Sequence, residues 1–191
     1  MAHELGDDDV AVCTLADRIE LEPQVFALLQ AQWPINEATR QRGLASEAVD
    51  RVLVVANGQV VGHAGMKWAT RTECLIVSVV VDKAWRRRRI GFKLMEAVEK
   101  RARRRLSEST AVKLILWTED QELFFQALGF EDCEPYEGRG DANRKLEAPQ
   151  QSNLTRMLQA KLSQATNEDE STRSTDCSSA VNYAWLHKIL A

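Results

Sequence analysis

The chain has 191 residues, 45% of them hydrophobic, and a formal net charge of −3. That length allows one packed domain with some irregular chain, and the near-neutral charge argues against a general nucleic-acid binder. The four cysteines and three histidines are scattered without metal-ligand or redox spacing, and no apolar run approaches the roughly 20 residues that span a bilayer.

The hydrophobic pattern predicts strands and helices in mixed order. Strands are predicted where short apolar or β-branched runs occur, at 10–15, 51–56, 59–68, 74–81, 112–117, 130–135 and 181–190. Helices are predicted where apolar residues recur every three or four positions, at 21–33, 90–105 and 119–128. Residues 35–45 fit either a turn or a second short helix. This order indicates an α+β fold, with helices on the faces of a mixed sheet.

Turn residues and composition divide the chain further. Asn57 and Gly58 predict a tight hairpin turn, and the run 74–81 is apolar enough for a central strand covered on both faces. Residues 137–179 are polar and poor in aromatics, which predicts a flexible loop, with a helical segment open at 154–162. We therefore expect a core over 1–136, the loop over 137–179, and a C-terminal strand segment over 180–191 that completes the core.

A strongly basic turn separates the central strand from an amphipathic helix. Eleven of the 25 lysines and arginines lie between Lys83 and Arg105, and four consecutive arginines follow Trp85. A helix start has unpaired backbone N–H groups and the positive end of the helix dipole, both of which favour an anion. Gly91 lets the backbone approach that anion closely. The pattern predicts a pyrophosphate site, while a solvated basic patch or a nuclear-import signal stays open.

This turn resembles that of the GNAT acetyltransferases. Their turn has arginine or glutamine first, glycine three residues later, and glycine or alanine two residues after that. Arg86 and Gly91 match, whereas Arg89 stands at the middle glycine. The resemblance implies the GNAT fold and acetyl-CoA as cosubstrate, with no metal. The cofactor-binding residues that it implies are Val79, Val80, Val81, Arg86, Arg87, Arg88, Arg89, Ile90, Gly91, Phe92, Lys93, Gln121 and Phe125.

Four separated parts of the chain resemble one subfamily, the actin N-terminal acetyltransferases. They are 32–34 with Arg40 and Leu44, 60–64, 120–135 and 183–188. The resemblance implies that the acceptor is the α-amine of a protein N-terminus, in particular an acidic one such as that of actin. It also implies an acceptor cleft lined by Trp33, Asn36, Arg40 and Leu44. Ile35 and Glu37 replace basic residues of the subfamily pattern, which makes this cleft less cationic.

Acetyl transfer to an amine needs a donor for the thioester oxygen, a base for the amine and an acid for the departing thiolate. The resemblance implies that the backbone N–H of Val79 or Val80 is the donor. Relatives often have Glu and Tyr where this chain has Val77 and Phe125. The replacements that the sequence offers are titratable side chains on neighbouring elements, each of which also fits a structural or solvated role: Glu73, His63 and Glu119.

Three other functions stay open at this stage. A small-amine acetyltransferase would share the cofactor turn but not the acceptor. A degenerate acetyl-CoA-binding domain would account for Val77, Arg89 and Phe125. A binder of nucleic acid or of an import receptor would use the basic face from Arg86 to Arg105. The acidic segment 1–9 lacks the features of a signal peptide, so we expect a cytosolic protein without membrane attachment, with nuclear entry open.

Overall fold

The computed structural model describes residues 10–105, 110–136 and 183–190. In this part of the chain, the strands and helices are β1 Val10–Thr14, α1 Glu22–Gln32, α2 Glu37–Leu44, β2 Val49–Ala56, β3 Gln59–Trp68, β4 Glu73–Val81, α3 Ile90–Arg105, β5 Val112–Thr118, α4 Glu122–Gln126, β6 Glu131–Asp132 and β7 Ala184–Leu190. Single 3₁₀ turns at Ile19–Leu21 and Lys83–Trp85 come before α1 and α3. All described residues except Pro135 and Tyr136 belong to one compact unit.

The strands form one mixed sheet in the order β1-β2-β3-β4-β5-β7-β6. Neighbouring strands are antiparallel except β4 and β5, which are parallel. A parallel pair needs a crossover connection, and α3 supplies it. β7 pairs with β5 on one side and β6 on the other, so the strand closest to the end of the sequence lies inside the sheet.

Local sequence explains the hairpin and the crossover helix. Asn57 and Gly58 have φ angles of 52° and 76°, the left-handed pair that joins two twisted antiparallel strands in a two-residue turn. In α3 the buried residues Ile90, Leu94 and Val98 recur at intervals of four and form an apolar stripe toward the sheet. None of the described helices is long and apolar enough to cross a membrane.

Each face of the sheet has its own apolar core. On the α3 face, Met66 and Leu94 belong to a cluster that spans β2, β3, β4, β5 and β7. On the opposite face, α1 and the end of α2 pack on a second cluster that includes Leu53. Because side chains alternate along a strand, Val79 packs against the first cluster and Val80 belongs to the second.

The prediction of an α+β fold with a mixed sheet flanked by helices is confirmed. Of the two structures that fit residues 35–45, the helix forms, as α2. Gly129 has the left-handed conformation, with a φ of 82°, and follows α4 as expected for a residue that ends a helix. The predictions for 137–179, including the helical segment at 154–162, lie outside the described residues.

The prediction that the central strand is covered on both faces is wrong at Val77 and Ser78. Cys74, Leu75 and Ile76 are buried, but Val77 is only half-buried and Ser78 is exposed. At these residues the pairing with β3 shifts register, and β5 pairs with only the first part of β4. The candidate site lies beside the half of β4 that β5 leaves unpaired.

Candidate active site

The sheet opens between β4 and β5. Pairing between these two strands extends only as far as Leu75 and Ile115. From Ile76 to Val81, one backbone edge of β4 therefore faces a gap instead of a neighbouring strand. Open sheets commonly bind ligands beyond the carboxyl ends of parallel strands, and this gap lies at that end of β4 and β5.

An extra residue in β4 changes the course of its backbone within the gap. Gly65 of β3 pairs with Val77 and His63 pairs with Val80, so two steps along β3 oppose three steps along β4. Ser78 takes up the difference with a φ of 53°, a conformation that costs a non-glycine residue about 1–3 kcal/mol. A β-bulge of this kind re-aims the groups beside it.

His63 lies directly behind the bulge. Its side chain is 2% exposed, and its Nδ1 lies 2.9 Å from the carbonyl oxygen of Ser78. A carbonyl oxygen only accepts hydrogen bonds, so Nδ1 carries a proton. Burial, together with the guanidinium groups of Arg51 and Arg40, lowers the pKa of His63 to about 4, and the ring is neutral at neutral pH. The other ring nitrogen, Nε2, is then an acceptor, and it has no hydrogen-bond partner in the described structure.

Two residues of the basic turn between β4 and α3 have a left-handed backbone conformation. Arg87 and Arg89 have φ angles of 63° and 60°, and the guanidinium carbon of Arg88 lies 4.9 Å from the centroid of the Trp85 ring. Arg89, at the position of the middle glycine in the family pattern, thus has the conformation that glycine adopts readily. All four arginines of the turn are exposed, and they add positive charge beside the start of α3.

Arg86 joins the turn to β4 and to α1. Its Nε donates to the carbonyl of Val81 at 3.1 Å, and its Nη2 donates to Oε1 of Gln32 at 3.1 Å. The sequence predicts a phosphate ligand here. The two bonds give Arg86 a structural role as well, because they hold the end of β4, the turn and the end of α1 in one arrangement.

The first turn of α3 presents backbone N–H groups and positive charge. None of the residues described in this turn is acidic, so the protein does not neutralise the positive end of the helix dipole there. Ile90 is buried in the core, Gly91 is half-buried, and Phe92 and Lys93 are exposed. The helix start thus has the features on which the predicted anion site rests, and the site itself stays a prediction.

A row of four aromatic rings extends from α3 through α4. The ring centroids are 5.4 Å apart for Phe92 and Phe124, 5.1 Å for Phe124 and Phe125, and 5.8 Å for Phe125 and Phe130. All three contacts are edge-to-face, the geometry that aromatic quadrupoles favour. Phe125, predicted to contact the cofactor, is only 5% exposed and lies in the core, whereas Phe92 is 40% exposed.

Three other residues that the sequence predicts for the site lie at opposite ends of β4 and β5. They are Glu73, Glu119 and Gln121. Glu73 begins β4, about 20 Å from Val79 along an extended strand, and it shares a hydrogen-bonded turn with Thr70. Glu119 and Gln121 follow β5 at the end where the gap is open, and both are exposed. The structure thus separates Glu73 from the bulge. In the described structure no group of His, Cys, Asp and Glu side chains could hold a metal ion.

A cavity of about 170 Å³ adjoins the bulge on the face covered by α1 and α2. Its lining includes Leu44, Arg40, Arg51, His63 and Ser78. Two of the lining residues are arginines and none is acidic, so the lining carries net positive charge. It brings together His63 and two of the residues that the sequence predicts for the acceptor cleft.

Both cavity arginines are held by the ends of helices. Arg40 donates to the carbonyls of Leu29, at 3.2 Å, and Trp33. Arg51 donates to the carbonyl of Gly43 near the end of α2. The carbonyls of Leu29 and Gly43 also accept backbone hydrogen bonds, so these bonds add to the helix-end pairing and hold the two arginine side chains in place. Burial lowers the pKa of each guanidinium.

The other predicted acceptor residues surround the connection between α1 and α2. Trp33 follows α1 and is 40% exposed. Asn36 is the N-cap of α2, and its Oδ1 accepts a hydrogen bond from the N–H of Thr39 at 3.3 Å. Leu44 is buried in the core beneath the cavity. Asn36 therefore has a structural role as a helix cap, whereas the exposed ring of Trp33 is available to an acceptor.

Sequence reasoning missed the parts played by Arg51 and Ser78. Each is a polar residue within a predicted apolar strand, and this contrast is the feature of the sequence by which they could have been found. It does not reveal function alone, because a polar residue in a strand usually just faces solvent.

Comparison with known proteins agrees with this geometry. Residues 48–132 match the sequence profile of the family described as "Acetyltransferase (GNAT) domain". Mouse N-alpha-acetyltransferase 80 is 33% identical over 141 residues, which are 68% of this chain and 44% of that protein. The chain thus aligns with less than half of this curated relative.

Two solved structures show the fold at low sequence identity. The ribosomal-protein-S18-alanine N-acetyltransferase of Escherichia coli has a TM-score of 0.54 and 18% identity, covering 65% of this chain and 79% of that one. The N-acetylglutamate synthase of Neisseria gonorrhoeae, complexed with coenzyme A and N-acetyl-glutamate, has a TM-score of 0.57 and 13% identity, covering 97% of this chain and 36% of that one. Residues 48–132 therefore match a GNAT acetyltransferase domain, and the chain has the GNAT fold.

Proposed function

We propose that this chain is an acetyl-CoA-dependent N-acetyltransferase that acts on the α-amine of protein N-termini, with acidic, actin-type N-termini as its substrates. The observation that carries the proposal is the gap between β4 and β5 with the bulge at Ser78 beside it. The basic turn, the start of α3 and the cationic cavity all adjoin that gap. The similarity to mouse N-alpha-acetyltransferase 80 supports the choice of substrate.

Acetyl-CoA suits this gap in shape and charge. The pyrophosphate binds at the start of α3, where backbone N–H groups and exposed cations converge. The pantetheine arm lies along the open edge of β4 and offers its amide groups to the backbone of Val79 and Val81. The related fold of N-acetylglutamate synthase, which is complexed with coenzyme A, supports this arrangement.

The reaction transfers an acetyl group directly. The amine nitrogen forms a bond to the thioester carbonyl carbon, the C–S bond breaks, and the proton that the neutral amine loses is balanced by the one that the CoA thiolate takes up. A backbone N–H of β4 donates to the thioester oxygen as its negative charge grows. Holding both reactants in the gap supplies the proximity part of the rate enhancement.

The cavity accounts for an acidic acceptor. Arg40 and Arg51 contribute positive charge to a partly enclosed space where interactions between charges are stronger than in bulk water. An aspartate or glutamate side chain at the acceptor N-terminus would gain from that potential. Actin as the protein partner and the cytosol as the location are parts of this proposal, and neither a membrane nor a nucleic acid is needed.

The test combines cofactor binding with a panel of acceptors. Calorimetric titration should show one molecule of acetyl-CoA bound per chain, and peptides that begin Asp-Asp-Asp or Glu-Glu-Glu should be acetylated faster than peptides that begin with Ser or Met. Spermidine and an aminoglycoside are the control acceptors. Turnover of those amines without turnover of acidic peptides would replace the proposal with a small-amine acetyltransferase.

A second candidate is a degenerate GNAT domain that binds acetyl-CoA without catalysis. The observations in its favour are Val77 and the buried Phe125, which stand where relatives often have a catalytic glutamate and tyrosine. Tight acetyl-CoA binding with no acetylated product from any amine in the panel would establish it. Turnover of the acidic peptides well above the uncatalysed rate would exclude it.

A further inference from the structure

The peptide that joins Ser78 and Val79 has a definite direction in the sheet. The N–H of Asp82 donates to the carbonyl of Val61 in β3 at 2.9 Å, so the N–H of Asp82 faces β3. Backbone N–H groups alternate between the two edges of a strand. Counting back, the N–H of Val80 also faces β3, whereas the N–H of Val79 faces the gap.

The other end of the same peptide confirms this direction. No cis peptide occurs in the described backbone, so the carbonyl of Ser78 and the N–H of Val79 point to opposite sides. That carbonyl therefore faces β3, and His63, a β3 residue, has its Nδ1 2.9 Å from the carbonyl oxygen. One hydrogen bond thus fixes the rotation of the peptide that carries the gap-facing N–H.

We infer that His63 is a positioning residue: its Nδ1–H holds the Ser78 carbonyl and keeps the Val79 N–H aimed into the gap, at the thioester oxygen. This inference rests on the proposed function, because it assigns a donor for acetyl transfer, and it selects Val79 over Val80 as that donor. It also explains how Ser78 is kept at a φ of 53°, since a strained conformation persists only where its surroundings hold it.

The surroundings of His63 suit a fixed donor. The ring is buried and lies beside the cavity that contains Arg40 and Arg51, so a second proton on the ring would meet two positive charges. With one proton, held on Nδ1 by the carbonyl, the ring exists as a single tautomer. A general base would instead use Nε2 to accept the proton of the amine, and the two roles predict different behaviour of substituted proteins.

Three substitutions separate these roles. His63→Asn puts an amide N–H close to the position of Nδ1, His63→Gln puts it close to Nε2, and His63→Leu removes the donor. We expect kcat for the acidic peptide to fall about a hundredfold in the Leu protein, the size expected when a reacting group is misplaced by about 1 Å. The Asn protein should recover most of that loss and the Gln protein little of it, while the dissociation constant for acetyl-CoA changes less than about threefold in all three.

His187→Leu is the matched control, since His187 is another histidine with a buried ring nitrogen that has no described partner. It pairs with Ile115, where β4 and β5 are still joined, so kcat should not change. If the Asn protein is as inactive as the Leu protein, or the Leu protein keeps the wild-type kcat, the positioning role is wrong. If the Leu protein does not fold, the comparison of Asn with Gln still decides.

A measurement without turnover keeps this inference distinct from the proposed function. In protein labelled with ¹⁵N-valine, the Val79 amide signal, assigned through Val79→Ile, should shift on addition of acetyl-CoA. The Leu and Gln substitutions should displace it before any ligand is added, and the Asn substitution much less. A shift that depends on His63, without acetylation of any amine, would retain the positioning role and reject the enzyme. Acetylation of the acidic peptide, together with a Val79 signal that does not change when His63 is substituted, would reject the positioning role and retain the enzyme.

Discussion

The ring of Phe124 lies against the bare Cα of Gly91, so that a Cβ on Gly91 would come within 3.0 Å of the ring carbon Cζ. The sequence indicates that this glycine exists for the close approach of an anion. The structure adds a second reason, because the glycine lets α3 and α4 pack closely beside the gap. Gly91 does not have a left-handed φ, so its backbone conformation does not require glycine.

Gly91→Ala should lower the free energy of unfolding by about 1 kcal/mol, because overpacking of about 1–3 kcal/mol exceeds the roughly 0.5–1 kcal/mol that alanine gains over glycine in a helix. Gly43→Ala is the control, since nothing lies within 4 Å of an added Cβ there, and it should stabilise the protein. Urea unfolding measures both. In a Phe124→Ala background the Gly91→Ala change should become neutral or stabilising, and a loss that persists there would contradict the packing explanation.

Arg89→Gly should give a more stable protein than Arg89→Ala. The φ of Arg89 is 60°, a conformation that costs a residue with a Cβ about 1–2 kcal/mol. Both substitutions remove the same charge, but only glycine removes the Cβ. Thermal unfolding should place the glycine protein about 1 kcal/mol above the alanine protein, and equal stabilities would argue against backbone strain in the turn.

Asn36→Ala should destabilise the protein by about 1 kcal/mol through loss of the α2 N-cap. Asn36→Ser preserves an oxygen that can accept from the N–H of Thr39 and should recover most of that stability. Chemical unfolding of the two proteins tests the cap. If Asn36 also binds the acceptor, the Ser protein will be stable and yet have a raised KM for the acidic peptide.

The stability of the protein should decrease between pH 6.5 and pH 4. His63 has a pKa of about 4 in the folded protein, below its ordinary value of 6.5. In that range the unfolded chain binds a proton that the folded protein excludes. The free energy of unfolding therefore decreases as the pH is lowered, by up to about 3 kcal/mol for this residue. Above pH 6.5 the ring is neutral in both states and its effect is constant.

His63→Asn removes this titration and is the control for it. The difference in free energy of unfolding between the wild-type and Asn proteins should shift across this interval and level off above it. Urea titrations at half-unit steps of pH measure the two curves. Parallel curves would mean that His63 does not have a depressed pKa.

The sequence predicts those parts of the fold that local patterns control. The four-residue spacing from Ile90 to Ala102 indicates the crossover helix, and Asn57 with Gly58 indicates the hairpin, because both depend on neighbours along the chain. The start of α3 as an anion site follows from the same local information.

The bulge and the cavity could not be predicted because they depend on distant residues. Ser78 is the bulged residue only because β3 pairs out of step with β4, and sequence alone does not fix that register. Arg40 meets the end of α1 only after α2 has folded back. Likewise, Phe125 lies in the core because Phe124 and Phe130 enclose it, which a motif position does not reveal.

The place of β7 in the sheet also bears on how the protein is made. β5 pairs with β7 along its whole length, from Val112 with Leu190 to Thr118 with Ala184, and these contacts join residues far apart in the sequence. While the ribosome is still synthesising the intervening segment, β5 is an unpaired edge strand, which can associate with other chains. Contacts of such long range also slow folding. β5, the strand that flanks the gap opposite β4, therefore gains its second neighbour late, and a nascent chain that stops before residue 184 lacks that support.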